Sequence, residues 1–547
     1  MLYGLSDKKI MVLVPHEDDE INLIGGTLPL LIKAGAKVKV VYLTNGDFYY
    51  KADIRIKEAI KALSVLGIDD NDVVFLGYPD GSDSSGYSLY KTENRVRIKN
   101  REYTYGGFQK LEYRMMRYGQ HGEYSYASLK KDLLDFILLF RPDIIFGTDF
   151  DGHHDHRMCS LALEECINSI LLRKNNTYFP YVYKGFAYST SFNALNDFYS
   201  LNIKNTVMPK KRELAYNTRS QLDNPVYSWE NRIQFPVDIN CAENFLFKNK
   251  LYMALLKHIS QAAISECERI INADKVFWER PTENLLYDAN IVGSSGDIEK
   301  LKDFRFFDVD DVSNLKLPIE YLFLGWIPDI ADERKELILF FDEPKKLQEI
   351  NLYLISQKKV KFNLVIDEKY NLSENDFISD DIKFTKKLSK QIIVKKLRFI
   401  INQSVKSSVK LIYMELLQNL WKPMRYVKIS LNDNFAYNFN VLKDRKVVSY
   451  KIYNYGINSE IKLISDNQKV CIDKAHVYFS DNVDKFTLKA INTDNNAVLD
   501  EVNVLLINKY KYKVISLIQK IENVVSYLVY RYQRKWRKIR RYRYDIK

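Results

Sequence analysis

The stretch Lys9-Ile-Met-Val-Leu-Val-Pro15 runs directly into His16-Glu17-Asp18-Asp19-Glu20, and its reading decides the fold. A short apolar run closed by a polar cluster suits a strand buried on both faces of a parallel sheet. Working outward, residues 21–34 carry helix-compatible apolar spacing stopped by Gly35, and 37–44 (KVKVVYLT) predict a second strand ended by Asn45-Gly46. Residues 53–66 predict an amphipathic helix closed by Gly67, and 72–76 a third strand. Residues 128–140 then predict a helix, 143–148 (DIIFGT) a strand, and the residues after His156 another helix. This alternation predicts an α/β fold built on a Rossmann-like parallel sheet with both faces covered. Ligands of such folds bind beyond the carboxyl ends of the strands.

Residues 77–123, rich in Gly, Ser, Tyr, Arg and Lys, break the rhythm and read as a long excursion over the sheet. Loops of that length in a compact domain are functional or disordered. Residues 248–272 predict a late helix, and the α/β region closes near Pro281-Thr282, giving a first domain over 1–282. From 283 the pattern becomes short alternating stretches separated by polar turns, as in Lys335-Glu-Leu-Ile-Leu-Phe-Phe341. That predicts a β-sandwich over 283–422 and a second β-rich domain over 423–508. Residues 509–547 form a basic tail whose Ile515, Ile518, Ile521, Val525, Leu528 and Tyr532 recur at threes and fours, as in an amphipathic helix.

With 547 residues, 46% hydrophobic and 28% charged, the chain has the composition of a globular protein of about two to four domains. It contains no run of about 18 apolar residues, so no membrane-spanning helix is expected. The N-terminal residues lack the small-residue cleavage site of a signal peptide. The five cysteines (Cys159, Cys166, Cys241, Cys267 and Cys471) show no paired spacing and suit a reducing compartment. Cytoplasm is therefore the expected location, with the tail able to hold the protein peripherally on the inner membrane face. Charge sharpens that point. Residues 509–547 hold 13 Lys or Arg and two acids, a net of +11, whereas the whole chain carries +12. The basicity belongs to the tail. A basic amphipathic helix with Trp and Tyr suits an anionic membrane surface. Nucleic acid, which would use the same charges, is the less favoured partner.

Chemistry concentrates in two segments that each follow a predicted strand. One is His16-Glu17-Asp18-Asp19-Glu20; the other is Asp151-Gly152-His153-His154-Asp155-His156-Arg157. Together they hold four of the chain's seven histidines. A catalytic zinc needs three protein ligands from His, Asp or Glu and one open position, and these segments can supply them. An acidic strand end alone is usually a solvated turn, and a lone HxxH spacing is weak; the pairing of both at strand ends of one sheet is what points to a metal.

These paired runs resemble those of the PIG-L/LmbE-like deacetylases, whose signatures are His-Pro-Asp-Asp-Glu after the first strand and His-x-Asp-His after a later one. Softer matches are Thr44-Asn45-Gly46, Arg55-x-x-Glu58, Pro79-Asp80-Gly81 and His258-x-x-Gln261, and the resemblance spans about residues 8–280. It implies a zinc-dependent N-acetyl-sugar deacetylase, with Fe²⁺ as an alternative metal. In it His16, Asp19 and His156 bind one metal and Asp18 is the general base. His153 stabilises the oxyanion, as an imidazolium oriented or charged by the nearby Asp155. Arg55, Asp80 and His258 are the substrate-binding residues it implies, although Arg55 and Glu58 also read as an ordinary helical surface pair. Glu17 departs from the family's proline and bears on metal affinity and substrate preference. The implied substrate is a GlcNAc-type amino sugar, lipid- or nucleotide-linked, in glycan or glycolipid biosynthesis. A related amidase on a larger N-acyl group, or an inactive carbohydrate-binding or membrane-associated scaffold, are the alternatives. The 283–420 region faintly resembles galactose-binding-like sandwiches through Asn290-Ile-Val-Gly-Ser-Ser295 and the strand leading to Pro344.

Overall fold

The computed structural model describes residues 2–545 except 82–87, 109, 152, 188–230, 267–269, 310–322, 357–358, 381, 403–408 and 421, and except the side chains of 266 and 541–545. Gly152, Cys267 and the side chains of Arg541, Tyr542, Arg543 and Tyr544 thus lie outside the described residues.

The first part of the chain runs β1 (Leu2–Tyr3), β2 (Lys9–Val14), α1 (Asp19–Leu23), α2 (Leu28–Lys33), β3 (Lys37–Thr44), α3 (Ala52–Val65) and β4 (Val73–Tyr78). It continues through α4 (Tyr113–Tyr118), α5 (Tyr126–Phe140), β5 (Ile144–Thr148), α6 (His154–Leu171), β6 (Tyr181–Gly185), β7 (Ile233–Pro236), α7 (Lys250–Leu255) and β8 (Asp274–Arg280). Seven of these strands form one sheet in the order β4-β3-β2-β5-β6-β8-β7. The first five strands of that order are mutually parallel, while β8 runs antiparallel to both β6 and β7.

Strand β2 shows why the apolar run must be central. Met11 and Leu13 enter the core beneath α5 and α6. Ile10, Val12 and Val14 enter the opposite core, with α1, α2, α3 and α7. All five side chains are fully buried, each stabilising the fold by about 1.5–3 kcal/mol relative to exposure. A period of two therefore distributes one strand between two layers. In parallel register Ile10 faces Ile144 and Leu13 faces Gly147. The segments leaving the carboxyl ends of β2 and β5 are thus neighbours by construction.

Two expectations need correction. The helix predicted over 21–34 is broken into α1 and α2. A Cβ at Gly25 would stand 2.9 Å from Leu251 Cδ1, and one at Gly26 2.7 Å from Val237 Cγ1. The bare backbone is what lets this segment pack so closely, and α2 restarts with Pro29 in its first turn. The helix predicted over 248–272 is, among the described residues, only α7 flanked by short 3₁₀ turns at Leu246–Lys248 and Ala263–Glu266. Ser260 spends its backbone N–H and its hydroxyl on the Glu58 carboxylate, and Ala262 takes a left-handed φ of 52°. Neither is compatible with a continuing helix.

An antiparallel seven-stranded sheet follows, made of β9 (Asn290–Gly293), β10 (Glu336–Ser356), β11 (Phe362–Ile366), β12 (Tyr370–Ser373), β13 (Ile378–Asp380), β14 (Lys383–Ile401) and β15 (Val409–Leu417). The long strands β10 and β14 stay paired through register shifts at Phe340/Lys345 and Leu347/Glu349, where bulges bend them. Trp326 is fully buried and donates its indole N–H to the Ser295 carbonyl, so it is part of the core. Leu337, Phe362 and Leu411 belong to the same continuous core as α5 and α6. Two further sheets between Arg425 and Ile507 form a third core. One of them is completed by β1, whose Leu2 pairs with Tyr426. Finally, α8 (Lys509–Asp545) is a single helix.

Candidate active site

The chain turns sharply after β2. Asp18 adopts φ 134°, a conformation that costs a non-glycine residue of order 1–3 kcal/mol and gathers at functional sites. Its N–H is held by the Glu20 carboxylate at 2.9 Å, and α1 begins at the next residue. From beneath, buried Arg55 of α3 hydrogen-bonds the Glu17 carbonyl and stands 3.7 Å from the Asp18 carboxylate. On the neighbouring strand, α6 starts at His154, with the His153 ring nitrogen accepting from the Asp155 N–H at 3.2 Å.

Asp19, buried between these turns, joins the two. One of its carboxylate oxygens, Oδ2, lies 3.1 Å from His16 Nδ1 and 3.3 Å from His156 Nε2. The remaining nitrogen of each imidazole meets another carboxylate. His16 Nε2 lies 3.0 Å from Asp155 Oδ2 and 3.3 Å from Asp80 Oδ1, and His156 Nδ1 lies 2.7 Å from Asp151 Oδ2. Histidines that bind a metal with one nitrogen and a carboxylate with the other are fixed in this way. Asp19 Oδ1 is buried without a hydrogen-bond partner. His16, His153 and His156 also bring one nitrogen each within 4.8 Å of one another, as do donor atoms of His16, Asp80 and Asp155.

The electrostatics fit a cation. Burial lowers the His156 pKa, but Asp151 and Asp19 outweigh it and push it up to about 10. His16 likewise rises, burial being outweighed by Asp80, Asp155 and Asp19. Burial raises the Asp19 carboxyl, yet His156 and His16 hold it well below the usual range. The surplus of negative charge that keeps protons on these imidazoles would favour a divalent ion in their place. Two imidazoles and a carboxylate are a donor set zinc accepts.

Around this centre the expected residues fall in different places. Burial pushes Asp18 up to about 6 against the pull of Arg55, and Glu17 up to about 8 against the same guanidinium. His153 is lowered to about 3 by burial, with His156 and His16 adding to it. That shift favours the neutral imidazole over an imidazolium, and the Asp155 carboxylate lies against His16 Nε2 and accepts from the Gly81 N–H. Arg55 and Glu58 are both buried, so they are no surface pair. Arg55 organises the 16–20 turn, and Glu58 anchors Ser260. Asp80 reaches the His16 ring. His258 is fully buried with Nε2 3.3 Å from Glu20, and lies behind the turn. Sequence reasoning missed Asp151 and Glu20 as partners of histidines. Asp151 could have been found, since it belongs to the same short run as His156. Glu20 could not, because its partner lies 238 residues on.

Comparison with known proteins places these features. No curated protein matches the chain. Among solved structures, N,N'-diacetylchitobiose deacetylase from Pyrococcus horikoshii is 20% identical over 32% of this chain and 60% of its own, with a TM-score of 0.22. Teicoplanin deacetylase Orf2, in a zinc-inhibited form, is 13% identical over 50% of this chain and 97% of its own, with a TM-score of 0.27. The Clostridium perfringens chain CpGH89CBM32-6 is 15% identical over 25% of this chain and 100% of its own, with a TM-score of 0.19. The turn carrying His16, Asp18 and Asp19 and the helix start carrying His153 and His156 both fall within residues 11–167, the segment that matches the family model PIG-L, GlcNAc-PI de-N-acetylase.

Proposed function

We propose that the chain is a metal-dependent hydrolase that removes the acetyl group from an N-acetylated amino sugar of GlcNAc type, lipid- or nucleotide-linked. The observation that carries this reading is the double orientation of His16 and His156, each with one nitrogen on Asp19 and the other on a separate carboxylate. His16, Asp19 and His156 would hold the ion, zinc or ferrous iron. When bound, it supplies Lewis acidity towards the acyl oxygen and acidifies water.

The remaining work falls to side chains. Asp18, raised by burial to about 6, lies close to neutrality, where a general base is most effective. Its carboxylate takes a proton from the attacking water and returns it to the sugar nitrogen, so that water and amide yield acetate and amine. His153, neutral and at the edge of the cluster, donates to the acyl oxygen as negative charge gathers there. Arg55 acts through the backbone by holding the Glu17 carbonyl.

The test is a panel of N-acetylated sugars, lipid-linked and nucleotide-linked, followed by enzymatic measurement of released acetate, with Asp18→Asn as control. Acetate from at least one GlcNAc-type member, and none with the control, is the expected result. Turnover only of longer N-acyl groups would replace the reading with that of a broader amidase.

A further inference from the structure

Helix α8 is packed the wrong way round for a surface helix, which ordinarily turns its apolar stripe inward. Its most buried positions are polar: Gln519 is 2% exposed, Glu522 8%, Ser526 5% and Gln533 3%. Among its described residues only Val529 and Tyr530, partly buried, pack apolar surface against the core of the parallel sheet. The opposite face leaves apolar side chains in the open, with Leu517 at 59%, Ile521 at 56%, Val524 at 61% and Leu528 at 57%, interspersed with exposed Lys513, Arg531 and Lys535. The inversion is maintained by hydrogen bonds. The Leu246 N–H donates to Glu522, Tyr252 and Ser526 share a bond between hydroxyls, and Gln533 donates to the Leu256 carbonyl.

Charge runs with the stripe. Between 509 and 540 the helix carries ten Lys or Arg and one acid, Glu522, and that acid is on the inward face. We infer that the outward face of α8 docks on an anionic lipid bilayer, lying along its surface with Leu517, Ile521, Val524 and Leu528 among the acyl chains and the basic side chains among the headgroups. A second copy of the chain would cover the stripe but set one basic helix against another, at a cost in repulsion. Nucleic acid would satisfy the charges but leave the aliphatic side chains in water. An anionic bilayer meets both requirements. No helix among the described residues is long and apolar enough to cross a membrane, so the helix lies on the surface.

The docking has a direction. The Tyr50 hydroxyl donates to the Arg537 carbonyl, and the Arg537 guanidinium donates to the Gln261 carbonyl. Tyr50 belongs to the loop after β3, and Gln261 lies three residues beyond His258. The basic end of α8 is therefore bonded to the loop after β3 and to the segment that follows α7.

Full-length protein is tested by flotation with phosphatidylcholine vesicles, alone or with about one third phosphatidylglycerol. Expected are binding at least about tenfold tighter to the anionic vesicles and a steep loss with salt. Arg534→Gln with Lys535→Gln and Lys538→Gln should weaken binding about 100-fold, from roughly fivefold per near-surface charge. Ile521→Ser with Leu528→Ser should also release the protein. Unchanged melting temperature and metal content in both variants show that the fold is intact. Three results overturn the inference: equal or no binding to the two vesicle types, wild-type binding by the serine variant, or salt-sensitive binding to single-stranded DNA without vesicle binding. A dimer that the serine substitutions dissolve, with no flotation, assigns the face to a second copy instead.

Discussion

Asp19 Oδ2 lies 3.3 Å from Nε2 of His156, across 137 residues of sequence, and this contact closes the space between the two strand-end segments. If both residues are ligands, His156→Ala should strip the metal. Wild-type protein should hold about one zinc per chain and the variant under a tenth of that, by elemental analysis of folded samples. Full metal content in the variant would remove His156 and point to His16, Asp80 and Asp155, the other set whose donor atoms converge.

Asp18→Asn separates base from ligand. Asparagine keeps the size of aspartate and tolerates positive φ better than most residues, so the strained turn should survive. Metal content should stay at the wild-type level while kcat drops by about two to four orders of magnitude. Near-normal turnover would move the role of base to another carboxylate, Glu17 being the nearest in sequence.

Gly46 sits where the chain leaves β3, at φ 62°, and a Cβ there would come within 2.0 Å of Glu17 Oε2. Gly46→Ala should therefore lose about 1–3 kcal/mol in urea unfolding. In a Glu17→Ala background the collision with the carboxylate disappears, and the backbone penalty and a 3.0 Å approach to Arg55 Cγ remain, so the loss should shrink. An equal loss in both backgrounds would mean that the carboxylate moves aside freely.

Lys275 offers a dependence on pH carried by a residue outside the metal-binding cluster. Its ammonium is buried on the carbonyls of Ile270 and Asn22, and burial lowers its pKa from 10.5 to about 8. The unfolded chain keeps this proton up to about 10.5 while the folded chain sheds it near 8. Between those values the unfolded state binds more protons, so this residue's contribution to stability rises with pH, by up to about 3 kcal/mol. In Lys275→Met that rise should vanish. Identical slopes of unfolding free energy against pH in the two proteins would show that Lys275 is not held at a cost.

Much of the site was legible because it is local. His16, Asp18 and Asp19 fall within four consecutive positions and His153 to His156 fill another four, and parallel pairing of their strands brings them together. What was illegible depends on distant partners. The Glu58–Ser260 bond that ends α7's segment spans 202 residues, and nothing in the apolar spacing of 248–272 announces it. The apolar stripe of α8 was readable from its threes and fours, but not which face would turn outward. That depends on whether Tyr252 and the Leu246 N–H offer polar partners to Ser526 and Glu522.

The pairing of Leu2 with Tyr426 imposes an order on biosynthesis. Strand β1 waits for a partner made more than 400 residues after it, roughly 20–85 s at ordinary rates of elongation. Through that interval an apolar edge is open to other chains, whereas the parallel sheet from β2 to β6 can already assemble. A fragment ending near residue 282 would stay in that waiting state permanently. Preparations of the isolated first half should therefore be prone to aggregation through the N-terminal strand, even with the metal-binding residues in place.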